Sequence, residues 1–557
     1  TNQIENQLEQ WVEDAATQTE NGESTDWTVV IDYLQDAAGN QLDLNDAPRS
    51  ALVLLPGMSD LLVNQLDAYI RDFGELTSVF ELQAVPGFTK EVFYQVRPFI
   101  KVSASRSRDI RNKNQHPAGP GLREIAREGK FDLIQRFSRI LETQTGFTEP
   151  GIKSDGTLET RYGNNPYRMY SRFRYRYKQN VSICILGEQD AGEVFRWDPS
   201  QNYFGYDYLS AHFFLKDFGR LKRVVVGDYT IQVGQGLVLS RGIGYGKGGE
   251  VINSVKRTSF GIMPYTSINE ANYMRGAATT LAFGNFHFTA FGSRVRNDGS
   301  IQTADTSDGA DPEIVTSLQI SGLHRTPSEI ASRQTITETI AGGRVEWIRR
   351  DLSIGVTHFQ QAYSVPFLPD PSKIYKRFDF SGNQNDLTAV DWDWAKRNFN
   401  IFGEIARSRS GGIAGIGGIL ASLHPKVDAV LQFRHFDKDF HSFRGFAFSE
   451  RPAVLANETG LYMGIRLKPT TKWTISAYAD QFRFPWARYL VSGPAQGWEF
   501  LGQINWQPSR KFGAYIRYRY DINQRNASVM PENQQVDFLR QTNRQGLRID
   551  YSWSPDK

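Results

Sequence analysis

The chain lacks most features that would mark it as a disulfide-stapled, helical-membrane or catalytic protein. It has 557 residues but a single cysteine, Cys184. One thiol excludes a disulfide framework and a cysteine-based zinc site. No run of about 18 apolar residues occurs, so no transmembrane helix is expected. Charge of one sign is also missing overall, with 64 Lys+Arg against 61 Asp+Glu and a formal net charge of +3. Catalytic motifs are absent: there is no His-Glu-x-x-His and no Gly-x-Ser-x-Gly. The run GYGKGGE is not a phosphate loop, because no Gly-Lys-Ser/Thr follows at the required spacing. His212 and His287 fall within predicted strands, and the sequence alone pairs neither with a nucleophile. The expectation is a protein that is not an enzyme and needs no metal or cofactor.

What is present is split along the chain. Residues 1–100 carry 17 Asp+Glu and only Arg49, Arg71, Lys90 and Arg97, a net −13, which leaves +16 on the remainder. Such asymmetry suggests two modules in different surroundings. Residues 4–14 place Ile4, Leu8, Trp11 and Val12 at helical spacing, a polar linker follows, and 29–34 could open another helix. Two similar units then occupy 41–100. In each, a short apolar stretch runs into a Pro-Gly turn, Pro56-Gly57-Met58-Ser59 or Pro86-Gly87-Phe88-Thr89, and a second apolar helix follows.

The pieces LDLNDAPRSALVLLPG and LTSVFELQAVPG resemble the tandem helix–hairpin–helix module of competence-type DNA-uptake proteins. In DNA-binding members the hairpin reads Gly-hydrophobic-Gly, and its free backbone N–H groups hold a phosphate. Here Ser59 and Thr89 replace the second glycine, and Asp60 follows Ser59. A segment at −13 repels phosphates, since non-specific affinity is built from Lys and Arg. Nucleic acid is therefore not the expected partner. The hairpin turns Gly57, Met58, Ser59, Gly87, Phe88 and Thr89 are instead candidates for binding an envelope protein.

From about residue 129 the period becomes two. In 166–178, Tyr167, Met169, Phe173 and Tyr175 alternate with Arg168, Arg172, Arg174 and Arg176. The alternation recurs at 461–468, 473–480, 498–506, 512–520 and 547–553. Tight turns near 178–180, 217–220, 284–285, 349–351, 396–398, 424–426, 470–472 and 509–511 alternate with long connections. Strands of this length with one greasy face, joined by alternating short turns and long loops, predict an outer-membrane β-barrel, because only a closed sheet satisfies every backbone group in lipid. The fold class is mainly β: a large antiparallel transmembrane barrel of roughly 18 strands (range 16–20), preceded by a small all-α domain. A propeller is the soluble alternative, but no repeat of about 40–50 residues is found.

The pieces GDYTIQVGQGLVL and PYTSINEANYMRGAA, with the preceding FELQAVPGF, are similar to a Bacteroidota-type family of outer-membrane proteins in which a helix–hairpin–helix segment precedes a large barrel. The resemblance implies outer-membrane residence among lipid and lipopolysaccharide, with the N-terminal domain in the periplasm. It implies no reaction. The expected division is a helical segment and linker at 1–40, the hairpin domain at 41–102, a linker at 103–128 and the barrel at 129–557.

Three further expectations concern the lumen. Arg168, Arg172, Arg174, Arg176, Arg517 and Arg519 should face it. There they either favour anions or pair with acids such as Glu346, Asp391, Asp393, Glu404, Glu499 and Asp550, and bracing is the preferred reading. The Gly-rich segment 233–273, with Gly234, Gly236, Gly242, Gly244 and Gly246, either folds inward as a constriction or forms an external loop. The acidic loop 297–313, with Asp298, Asp305, Asp308, Asp311 and Glu313, reads as a solvated loop rather than a calcium site. The function expected is an accessory or scaffold subunit of a cell-envelope complex. The alternatives are an anion-leaning solute channel and, last, a DNA-uptake component.

Overall fold

The computed structural model describes residues 28–103, 121–201, 203–240, 246–303, 313–349, 351–509, 511–527 and 539–553. The predicted helix at 4–14 and the glycines Gly242 and Gly244 lie outside these residues.

Alternation of side chains builds a closed antiparallel barrel. Among the described residues its ring contains twenty strands, of which Gly261–Pro264 and Glu313–Gln319 are short additions paired beside longer neighbours, leaving eighteen in the wall. The wall runs from Lys130–Arg139 to Leu539–Trp553, which stand next to each other around the ring. The six expected tight turns whose residues are all described fall where the sequence places them: Tyr167–Tyr177 turns into Val181–Gln189, Phe286–Thr303 follows Met274–Phe283, and Trp473–Phe484 follows Glu458–Thr470. Lys178, Asp217 and Arg397 take up positive φ in three of these turns, the backbone reversal a tight hairpin requires.

The two faces of the wall differ in chemistry. Val356, Val390, Ile405, Leu431, Met463 and Ile504 point outward and are exposed all around the ring. Their strand neighbours Thr357, Asp391, Glu404, Gln432, Tyr462 and Gln503 point inward and are buried. An apolar belt on this scale is not tolerated by water and is the surface a bilayer covers. Trp473 and Trp506, next to tight turns, stack with ring centroids 5.8 Å apart, as a girdle at the membrane boundary does.

The helical module closes the tight-turn end. Helix Thr28–Gly39, the one-turn helix Arg49–Leu52, helix Asp60–Phe73, the 3-10 turn Val79–Ala84 and helix Lys90–Val96 share one apolar cluster that includes Leu34, Leu52, Leu66, Leu82 and Val96. A two-residue parallel pairing of Leu42–Asp43 with Ile100–Lys101 ties the two ends of the module together. Residue 40 is not a packing boundary, because Leu34 and Ala37 are wholly buried in that same cluster. Part of the expected linker is also structured: helix Leu122–Glu128 takes hydrogen bonds from Tyr175 and Tyr177 of the wall.

Candidate functional site

The module is held against the barrel by charge. Helix Thr28–Gly39 presents Asp32 and Asp36 to the wall arginines. Asp32 lies 2.9 Å from Arg174 and 3.3 Å from Arg172, while Asp36 pairs with Arg174 at 3.2 Å and with Arg176. A second contact is made by helix Asp60–Phe73. Its buried Asp60 lies 2.6 Å from Lys256 and 3.1 Å from Arg49, and Lys256 also reaches Asp393 of the wall at 2.5 Å. Burial works against the Asp60 charge, but Lys256 and Arg49 outweigh it and hold the carboxyl below its ordinary value. Asn64 and Gln65 add hydrogen bonds to the turn at Phe399 and Asn398.

The hairpin turns are therefore not laid out as free binding loops. Met58 and Phe88 are buried in the module core. Ser59 caps helix Asp60–Phe73 by accepting from the Leu62 N–H, and Thr89 caps the next helix by accepting from Val92. Only Gly57 and Gly87 are exposed, both at positive φ, and a Cβ on Gly87 would come within 2.9 Å of Leu62. The first hairpin borders a chamber of about 560 Å³ between module and barrel, lined by Met58, Ser59, Lys256, His424 and Arg466. Of the six partner-binding candidates, Met58, Ser59, Phe88 and Thr89 are thus engaged by caps and core packing, and Gly57 and Gly87 are the exposed ones.

The Gly-rich segment crosses the lumen. Val233, Leu237, Val238, Leu239, Val251, Ile252 and Val255 are buried among wall side chains. Polar anchors fix it on several sides. Glu404 accepts from the backbone N–H groups of Gln235 at 2.6 Å and Leu237 at 3.0 Å. Lys247 sits among Asp480 at 2.5 Å, Glu450 at 2.6 Å and Glu499 at 3.2 Å. Glu250 meets Arg466 at 3.1 Å, and the Tyr462 hydroxyl donates to the Val251 carbonyl. Gly234 is needed here: at φ +58, a Cβ would lie 2.7 Å from the Glu404 carboxylate. Of the predicted glycines, Gly234 and Gly236 are buried in this packing, while Gly246 is exposed beside it.

The lumen arginines divide between two kinds of partner. Bracing by wall acids holds for Arg519, which meets Glu499 at 3.0 Å. Arg517 hydrogen-bonds Gln503, and Arg168 pairs with Glu188 and Asp190 at the loop end. Arg172 and Arg174 depart from the expectation, since their carboxylates come from the N-terminal module, and Arg176 draws on both Asp36 and Asp132. The expected wall acids serve elsewhere: Asp391 and Glu346 hold Arg344, Asp393 holds Lys256, Glu404 caps backbone amides, and Asp550 meets Arg548.

Above the inserted segment, at the long-loop end, opens a vestibule of about 1050 Å³. One side is acidic and internally paired. His324 lies 2.5 Å from Asp207 and 2.9 Å from Asp298, and its backbone N–H donates to Glu193. Burial favours the neutral imidazole, but the hydrogen bonds to the two aspartates outweigh it and push the ring up to about 10. Glu193, Asp207 and His324 have metal-like proximity, with ligand atoms within 4.8 Å, yet both ring nitrogens already face carboxylates. Asp298 of the acidic loop belongs to this ion-pair network, while Asp305, Asp308 and Asp311 lie outside the described residues. The other side holds Lys376, Phe378, Lys438, Arg451, Trp486 and Arg488. Sequence reading missed Lys247, Lys256 and this cationic, aromatic side. The available signals were two lysines inside a Gly-rich stretch and the dense Lys/Arg/aromatic run PSKIYKRFDF in one long loop.

No protein-family model and no curated protein matches the chain. Solved structures do. The chain is similar to OpdQ of Pseudomonas aeruginosa, with 10% identity, TM-score 0.32 and coverage of 70% of this chain and 93% of that one. OccK3 (OpdO) of the same organism gives 9% identity, TM-score 0.34 and coverage of 78% and 98%. Wzi of Escherichia coli, an outer-membrane protein involved in group 1 capsule assembly and a carbohydrate-binding β-barrel, gives 10%, 0.31, 71% and 80%. Superpositions this loose carry over no ligand and no partner.

Proposed function

We propose that the chain is an outer-membrane barrel that acts as a gated, anion-leaning solute conduit, with its long loops outside and its helical module in the periplasm. The apolar belt and the turn asymmetry support the placement. The carrying observation is the inserted segment, which blocks the lumen between a vestibule and a lower chamber and is pinned by Lys247 and Lys256. Lys247 and Lys256 are the charged part of a set of anchors that also includes Glu404, Arg466 and Tyr462, so removing them loosens the segment without touching the strand pairing of the wall.

Planar-bilayer recording tests this. The folded wild type should be nearly silent, and K247M/K256M should show conductance steps. A variant that folds and stays silent would refute the conduit, as would a wild type that is permanently open. A second reading, the accessory subunit, keeps one specific support: Phe73, Phe80 and Tyr94 of the module are exposed at 78%, 61% and 46%. Exposed aromatics of this kind suit a protein partner, and a partner captured from native membranes should then be lost with F73S/F80S. The −13 charge of residues 1–100 opposes the DNA reading.

A further inference from the structure

The two sides of the vestibule are electrostatically unlike. On the acidic side, Arg275 meets Asp228 at 2.6 Å, Arg333 meets Asp207 at 3.2 Å, and Arg444 pairs with Glu338. On the other side, Lys376, Lys438, Arg451 and Arg488 have no ion pair among the described residues. Asp379 is the carboxylate that faces this group, lying near Lys376, His441 and Arg451 without forming a salt bridge to any of them. Glu450 and Glu458, also nearby, are committed to Lys247 and Arg434. Four cations against one carboxylate leave an excess of positive charge in a partly enclosed space.

The cations are arranged around rings. Lys438 lies 4.2 Å from the Phe378 ring centroid and 5.4 Å from that of Trp486, and the two rings meet edge-on at 5.1 Å. Arg488 stacks on Phe484 at 4.0 Å, and its Nε is buried without a hydrogen-bond partner. Tyr489 and Val454 extend the apolar surface at the rim, where both are exposed. Burial first, and then the Arg451 charge beside it, holds the Arg488 guanidinium below its ordinary value.

We infer that this corner binds a small anion whose carboxylate is carried on a flat ring, the charge meeting Arg451 and Arg488 and the ring lying against Trp486 and Phe378. Arginine pairs with carboxylate in two parallel hydrogen bonds, and an aromatic surface holds a ring without fixing its substituents. The acidic side, closed upon itself, repels the same anion and sets its orientation. The cavity exceeds what one such solute fills, so the ligand occupies the corner and leaves the rest of the vestibule wet. This inference rests on the reading of the long-loop end as the face that solutes meet.

Isothermal titration of the full, detergent-solubilised chain tests it, with benzoate as the probe. Acetate carries the charge without the ring, benzyl alcohol the ring without the charge, and glucuronate the charge on a pyranose. Benzoate should bind saturably and at least about tenfold more tightly than acetate or benzyl alcohol. R451Q/R488Q should lose that advantage while keeping the wild-type β-sheet circular dichroism. Glucuronate binding as tightly as benzoate supports the same site with a sugar acid as its source; weaker binding assigns the site to aromatic acids. If neither ring carboxylate binds better than benzyl alcohol, or if R451Q/R488Q changes nothing, the inference is overturned. The wild-type probe series stands without any variant. A chain that binds benzoate but never conducts keeps the site and loses the conduit, whereas one that conducts without binding loses the site alone.

Discussion

The contact between Asp60 and Lys256 couples the helical module to the lumen, and D60N isolates it. In the wild type Lys256 is shared between Asp60 and Asp393, and Asp60 between Lys256 and Arg49. Removing one partner of a buried pair costs about 3–5 kcal/mol, because the other charge is left poorly compensated. Lys256 keeps Asp393 in D60N, and Arg49 keeps Asp67 at 3.7 Å, so the low end applies, about 3 kcal/mol. That corresponds to roughly 100-fold more of the undocked state. Hydrogen–deuterium exchange reads it directly: amides of 60–73 and 246–260 should lose protection together in D60N, while strands far from the module do not change. The double variant D60N/K256M should cost less than the two single changes combined, which marks direct coupling. The pH dependence has a fixed sign. A carboxyl held below 3.8 contributes stability that is present above that value and lost as the pH falls through its lowered value. Acidification should therefore undock the wild type but add little in D60N. Unchanged protection of 246–260 in D60N would refute the coupling.

Two other perturbations read different parts of the molecule. His324 is pushed up to about 10 from 6.5, so its contribution is fully present below 6.5 and is lost as the pH rises through about 10; thermal unfolding should show a falling Tm from pH 7 to 11 that flattens in H324Q. On the belt, V390R should destabilise the folded barrel in lipid vesicles by about 2–4 kcal/mol, whereas the same change at the rim, V454R, should be nearly neutral in the same urea titration.

The wall was legible because its constraint is local. A strand in lipid must alternate, and a tight turn must reverse the backbone within two or three residues, so the pattern at 461–468 or 512–520 already carries the geometry that the structure realises. The lumen was legible only as a choice. Gly234 and Gly236 announce close backbone packing but not which surface they pack against, and that is settled by Glu404, about 170 residues away in sequence. The vestibule was not legible at all, since Lys376, Lys438, Arg451 and Arg488 come from three different loops whose meeting depends on barrel closure. The hairpin resemblance placed helices and turns in order. It misled on which residues are free, because Ser59 and Thr89 act as caps.

Docking accounts for part of the division of charge between the N-terminal 100 residues and the remainder, through Asp32, Asp36 and Asp60. Asp32 and Asp36 enter a wall that carries Arg172, Arg174 and Arg176 on successive inward positions, and Asp60 meets the lysine of the inserted segment. A barrel interior with those arginines unmatched would hold like charges a few ångströms apart in a space that water reaches poorly, at a cost that grows as the local dielectric falls. An acidic module lowers that cost only when it is seated. The same complementarity gives the acids of the helical module a role: Asp32, Asp36 and Asp60 lie on the surface that meets the barrel. Exchanging charge across the interface tests this, because D32R/R174D should restore a contact that either single change breaks, and failure of the pair to recover docking in the same exchange measurement would show that shape, not charge, seats the module.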